Sequence, residues 1–151
     1  MAHCGQERED DRNMIIAEHT KQKVTNAEAV ESILRPILES EHEVDREKEH
    51  FWVIGLNTKN RVKYIDLVSL GTLNATLTSP REVFRLAIMN AIDRLIVAHN
   101  HPSNDTEPSP EDLRMTKTLV DAGKIIGINV LDHVIIGNDS GYYSMTGNGQ
   151  I

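Results

Sequence analysis

Two histidines, His99 and His101, follow directly on the apolar run Leu95-Ile96-Val97-Ala98, and a carboxylate, Asp112, comes eleven residues after the second. In an extended segment residues i and i+2 project to one side, so both imidazoles can be aimed at one point. Neutral imidazole nitrogens are good ligands for zinc and for other transition metals. Asp112 falls in the first turn of a helix expected to start at Ser109-Pro110-Glu111-Asp112. The loop between can fold back and set that turn against the strand end. Two nitrogens, one carboxylate and an open position for water make a catalytic zinc arrangement with one Zn2+ per chain. Such an ion lowers the pKa of water toward ~7 and polarises a carbonyl oxygen. The same three ligands also suit non-haem iron.

Each part has an ordinary alternative. A His-x-His pair alone is weak evidence of a metal, and Ser109-x-x-Asp112 is also a helix capping box. Their combination on one loop between strand and helix is far more specific than either part. Pro102, Pro108 and Pro110 stiffen the loop, which lowers the entropic cost of ordering the ligands.

The elements that must position these residues are legible by period and punctuation. Thr25-Asn26-Ala27-Glu28 reads as a capping box, with Thr25 as N-cap, before the helically spaced Ala29, Val30, Ile33 and Leu34. Pro36 ends or kinks that helix, with Ile37 and Leu38 as a short continuation. Residues 39–49 form a charged connector. Phe51 to Leu56 and Val62 to Leu70 are strands around the turn Asn57-Thr58-Lys59-Asn60, an antiparallel hairpin. Ser79 caps a helix with Pro80 in its first turn. Leu95 to Ala98 is a buried strand. The helix from Ser109 runs to about Lys124 and ends at Gly123 or Gly127. Ile128 to Ile136 and Tyr142 to Met145 are the last strands. A hairpin followed by helix–strand–helix–strand predicts an α+β fold, a mixed sheet packed with helices.

Composition bounds the function. The 151 residues suit one domain, with 39% hydrophobic and 26% charged residues. With little periodicity beyond Met14, Ile15, Ile16 and Ala17, we expect residues 1–22 to be a polar, mobile extension with at most a short helix, and residues 23–151 to be the domain. A single cysteine, Cys4, excludes a disulfide framework, and both Cys4 and His3 read as exposed. No apolar run reaches the ~18–20 residues of a membrane span. Acids crowd the N-terminus where a signal peptide needs apolar residues, so a cytoplasmic protein is expected. The net charge of -7 divides unevenly. Residues 1–50 hold 13 acids and 7 bases, residues 51–151 hold 10 and 9, and no run of bases exists. Autonomous nucleic-acid binding is therefore not expected. His-Glu-x-x-His, a phosphate-binding glycine loop and Gly-x-Gly-x-x-Gly are absent.

The pattern His99-x-His101-x7-Ser109-x2-Asp112 resembles the signature of the JAB/MPN (JAMM) metalloprotease superfamily, spacing included. Ser79-Pro80-Arg81-Glu82-Val83, His99-Asn100-His101-Pro102-Ser103, Pro108-Ser109 and Leu131-Asp132-His133-Val134-Ile135 are similar to its RadC-like branch, over roughly residues 25–148. The resemblance implies a single MPN-like domain with a mostly antiparallel sheet. It implies a zinc-dependent hydrolase of peptide or isopeptide bonds, with a protein or peptide substrate, and it leaves a homo-oligomer open. His99, His101 and Asp112 would bind zinc. Ser109 would hydrogen-bond the oxyanion or the metal-bound water. A glutamate before the first apolar strand would be the general base; Glu49 matches best and Glu47 is the runner-up, since in a strand the two share a face. The alternative is an MPN-fold module that binds protein, or serves DNA repair, without catalysis. His133 shares a face with Leu131 and Ile135, so it reads as a hydrogen-bonded core residue or a partner of a metal ligand. His19, His42 and His50 read as exposed.

Two departures from the family stand out. Longer RadC-like proteins carry a helix-hairpin-helix module before the metal domain. Its hairpins need glycines, and this chain has none between Gly5 and Gly55, so that module is expected to be absent. The loop reads Ser103-Asn104-Asp105 where the family usually has Gly after the Ser.

Overall fold

The computed structural model describes residues 14–15, 22–71 and 78–151. Its strands are β1 (Met14–Ile15), β2 (Glu49–Leu56), β3 (Val62–Gly71), β4 (Arg94–His101), β5 (Asn129–Gly137) and β6 (Tyr142–Ser144). Its helices are α1 (Ala27–Glu39), α2 (Glu43–Arg46), α3 (Pro80–Met89) and α4 (Pro110–Ile126). The strands form one sheet in the order β1-β3-β2-β4-β5-β6. Only the β4–β5 pair is parallel; the fold is α+β with a mostly antiparallel sheet, as expected.

The sheet is covered on both faces, and the period of two decides which residue goes where. Trp52, Ile54 and Leu56 join Ile96 and Ala98 under Val30, Ile33, Leu34 and Leu38 of α1. Phe51 and Val53 join Leu95 and Val97 under Val83 and Phe84 of α3 and Leu119 of α4. Burial on both sides explains why the β2 segment is a continuous apolar run rather than an alternating one. No helix among the described residues is long and apolar enough to cross a membrane.

Local chemistry departs from expectation in places. The N-cap of α1 is Asn26, one residue after Thr25; its Oδ1 accepts the Ala29 N–H at 2.9 Å. Pro36 does not end α1, which continues to Glu39 with Pro36 inside it. A proline costs its own N–H, but the apolar face carries on through Leu38, which is fully buried, and packing outweighs the lost bond. The charged connector holds the one-turn helix α2. Ser79 is the N-cap of α3, yet its hydroxyl makes no capping bond and is buried without a partner. Gly127 rather than Gly123 ends α4, in the left-handed conformation at φ 77°. Of the expected N-terminal extension, Met14 and Ile15 form a strand against Asp66 and Ile65. The rest of that extension, from 1 to 21, with His3, Cys4 and His19, lies outside the described residues.

The strand before the histidines is also longer than its apolar run. β4 continues through His101 because it gains a partner on each side: Phe51 pairs with His99, and His101 pairs with Gly137. Both histidines are therefore strand residues.

Candidate metal centre

His99 and His101 leave the same face of β4 at its C-terminal end, the face of Phe51 and α4. The loop after Pro102 returns the chain so that the first turn of α4 stands over them. The Nε2 atoms of His99 and His101 lie 2.9 Å apart. Asp112 Oδ2 is 3.5 Å from the first and 3.3 Å from the second. One ligand atom from each residue lies within 4.8 Å of the others, so the three could hold a metal ion.

The carboxylate is fixed by the helix it starts. Ser109 Oγ accepts the Asp112 N–H at 3.0 Å, and Asp112 Oδ2 accepts the Ser109 N–H at 2.9 Å. The capping box is formed and is compatible with the ligand reading, because one carboxylate oxygen serves the cap and faces the histidines. Ser109 is exposed. Its Oγ uses a lone pair on the cap, which leaves its proton free to donate.

A relay behind the histidines sets their tautomers. Thr116 donates its hydroxyl proton to the Asp112 carbonyl at 2.7 Å. His133 Nδ1 therefore donates to Thr116 Oγ1, 2.5 Å away. That leaves His133 Nε2 bare, to accept from His99 Nδ1 at 2.7 Å. His101 Nδ1 donates to the Asp105 carbonyl at 2.6 Å. With the proton of each neutral ring on Nδ1, both Nε2 atoms face inward, open to a further proton or to a metal. Two imidazole lone pairs and a carboxylate oxygen converge on one point, and electrostatics there demand a proton or a metal cation. This donor set fits zinc.

Burial and the Asp112 charge pull the histidines in opposite directions. Burial holds the His99 pKa low against the pull of Asp112. Burial, with the charge of His99, holds His133 well below its ordinary value, so it stays neutral. The hydrogen bond to Asp112 raises His101. Asp112 is pushed up by burial but far more strongly held down by hydrogen bonds from His101 and His99 and by the charge of His99, so it stays ionised.

The two glutamates separate cleanly in space. β2 begins at Glu49, and Glu47 sits outside the strand, exposed, at the end of α2. Glu49 lies two residues before Phe51, the partner of His99, so the strand's period of two puts it on the face of Phe51 and His99. The negative charge of Glu49 reaches both His99 and His101 and favours their protonated forms. Glu47 instead borders a polar cleft with Glu39, Arg46, Asn138 and Asp139.

His50 corrects an expectation. It is fully buried rather than exposed, stacked on Trp52 at 5.1 Å between ring centres. Its ring bonds Glu41 and the Lys48 carbonyl, each at 2.8 Å. The charge-rich text around it hid that it is the second residue of a strand covered on both faces. His42 is exposed, as expected. Asp132 serves structure: it accepts from Ser144 Oγ and from the Thr146 N–H, pinning β6 to β5. Thr116 was missed; its signal was its place four residues after Asp112, one helical turn on.

The loop departure also acquires a reason. Asn104 has φ 68°, the left-handed conformation that favours glycine and admits asparagine. Its side chain adds something glycine lacks, since Oδ1 accepts the N–H groups of Asp139 and Ser140 at 3.1 and 3.3 Å.

A mixed sheet carrying a strand-borne histidine pair beneath a helix-borne aspartate defines a JAB/MPN-type domain. The sequence model of the RadC-like JAB domain matches residues 24–150, and the chain belongs to that family. A UPF0758 protein of Desulforudis audaxviator is 53% identical over 93 residues, 62% of this chain and 40% of that protein. A UPF0758 protein of Methanococcoides burtonii is 44% identical over 137 residues, 91% of this chain and 57% of the relative. One from Methanosarcina mazei is 40% identical over 132 residues, 87% of this chain and 55% of its own length. The chain spans about half the length of these curated relatives. Their names state no activity.

Proposed function

We propose that this chain is a zinc-dependent hydrolase of peptide or isopeptide bonds, acting on a protein or peptide substrate. The observation that carries the reading is the convergence of the His99 and His101 Nε2 atoms and Asp112 Oδ2 on one point. His99, His101 and Asp112 would hold the ion. Zinc, when bound, makes water a nucleophile near neutral pH and polarises the carbonyl of the scissile bond. Glu49 takes the proton from the attacking water as oxygen bonds to the carbonyl carbon. It returns that proton to the amine nitrogen as the carbon–nitrogen bond breaks. Ser109 donates its free hydroxyl proton to the oxygen on which charge develops.

The test is metal content by mass spectrometry on the purified chain beside Asp112→Ala, followed by a screen of peptide and isopeptide substrates. Near one zinc per chain, lost in the variant, together with a cleavage that Glu49→Gln abolishes while keeping zinc, is the expected outcome. Iron in place of zinc would redirect the search to oxygen chemistry. No metal after zinc addition would leave a capped helix, two polar histidines and a binding module as the better account.

A further inference from the structure

Asn100 stands between the two histidines in sequence and on the opposite face of β4. It is fully buried. Its Oδ1 accepts the His50 N–H at 2.6 Å, and its Nδ2 donates to the Lys48 carbonyl at 3.0 Å. One side chain therefore grips the backbone immediately before and immediately after Glu49. The second Nδ2 proton goes to Asn138 Oδ1 at 2.7 Å, and Asn138 Nδ2 donates to the Arg46 carbonyl at 2.9 Å.

These bonds fix the peptide groups on either side of the Glu49 Cα, and with them the direction of its side chain. That direction is away from Asn100, onto the face of His99 and His101. Glu49 and His50 pair with Gly71 and Leu70 of β3, but on the β4 side the ladder stops at Phe51–His99, and the connector before Glu49 is charged with no buried apolar residue, so Asn100 supplies the tie there. Strand ends so placed fray unless tied. The site demands a side chain that accepts and donates at once, at this reach. Aspartate only accepts, and serine is too short to span both backbone groups.

We propose that Asn100 is a positioning residue that holds Glu49 against the His99–His101–Asp112 group, an inference that rests on the reading of Glu49 as the base. The test uses the full chain with cobalt(II) in the metal site, whose visible absorption reports the open coordination position as pH is varied. Glu49→Gln removes a negative charge near that position and is expected to lower the midpoint of the spectral change by about one pH unit. Asn100→Ala is expected to keep the metal, to move the midpoint the same way by at least half as much, and to add nothing in the Glu49→Gln background. Amide exchange at His50 should rise in Asn100→Ala, with exchange in β5 unchanged. A wild-type midpoint in Asn100→Ala beside a shifted one in Glu49→Gln overturns the proposal, as does loss of the metal. A silent Glu49→Gln overturns the assignment of the base itself and the proposal with it, and the silent variant tells the two failures apart. Asn100→Ser, which can keep one of the two grips, takes the place of the alanine variant if that does not fold, with an intermediate shift expected. If neither folds, Asn100 is a structural residue and the proposal fails.

Discussion

Replacing His133 by leucine tests the relay behind the metal ligands. His133 touches no metal in this geometry; it acts by accepting the His99 Nδ1 proton at 2.7 Å in a fully buried setting. Without it, a bound metal forces the His99 proton to stay on Nδ1 with no acceptor. A buried unsatisfied donor costs about 1–3 kcal/mol. The metal-free variant escapes that cost, because the proton can move to Nε2 and face Asp112 Oδ2, 3.5 Å away. The penalty thus falls on the bound state alone, and zinc affinity should drop about 10–100-fold, the range known for outer partners of ligating histidines. The assay is competition for zinc against a chromophoric chelator near neutral pH, with circular dichroism to establish that the variant is folded. His133→Gln, whose amide oxygen can accept the same proton, should recover part of the loss. Wild-type affinity in a folded His133→Leu, beside lost binding in Asp112→Ala, would refute the tautomer assignment.

Three further outcomes are expected. The metal-free protein should lose stability from about pH 7.5 to about pH 5.5 in urea titrations. Folded His99 and His133 have pKa values below 6.5, so the unfolded chain binds more protons there and gains on acidification; the raised His101 opposes this, but it is one group against two. Stability that is flat or rising over that window would contradict the burial argument. Gly55→Ala should destabilise by about 1–3 kcal/mol, since overpacked cores cost that much. The added Cβ would meet the buried Tyr64 ring at 2.1 Å, and an unchanged urea midpoint would show that the ring yields. Asn104→Gly should keep the melting temperature within a few degrees, whereas Asn104→Val, forced to φ 68°, should cost about 1–2 kcal/mol from backbone strain alone. Equal melting of the two variants would show that the loop relaxes out of the left-handed conformation.

Much of this molecule is legible without coordinates. The hairpin follows from two apolar runs around Asn57-Thr58-Lys59-Asn60, and α4 follows from Ser109-Pro110 at one end and Gly127 at the other, because these signals are local. The convergence of the three candidate ligands follows from residue type and a strand's period of two, with the loop length allowing the aspartate to return. Local signals also mislead by a residue where two polar caps compete, as Thr25 and Asn26 do.

What the sequence could not decide depends on register between distant strands. Glu47 and Glu49 are equivalent in composition and two residues apart; only the start of β2 at Glu49 puts that residue on the face of Phe51 and His99 and leaves Glu47 outside the strand. His50 looks exposed among charges until Trp52 stacks on it and Glu41 bonds its ring. His133 and Asn100 acquire their tasks only when β5 lies parallel to β4 and its residues meet side chains from 34 or 38 positions earlier in the chain. Propensity and spacing act over one helical turn or one hairpin, so they name the ligands. The partners that orient them come from long-range packing, which forms only once the whole sheet is buried on both faces.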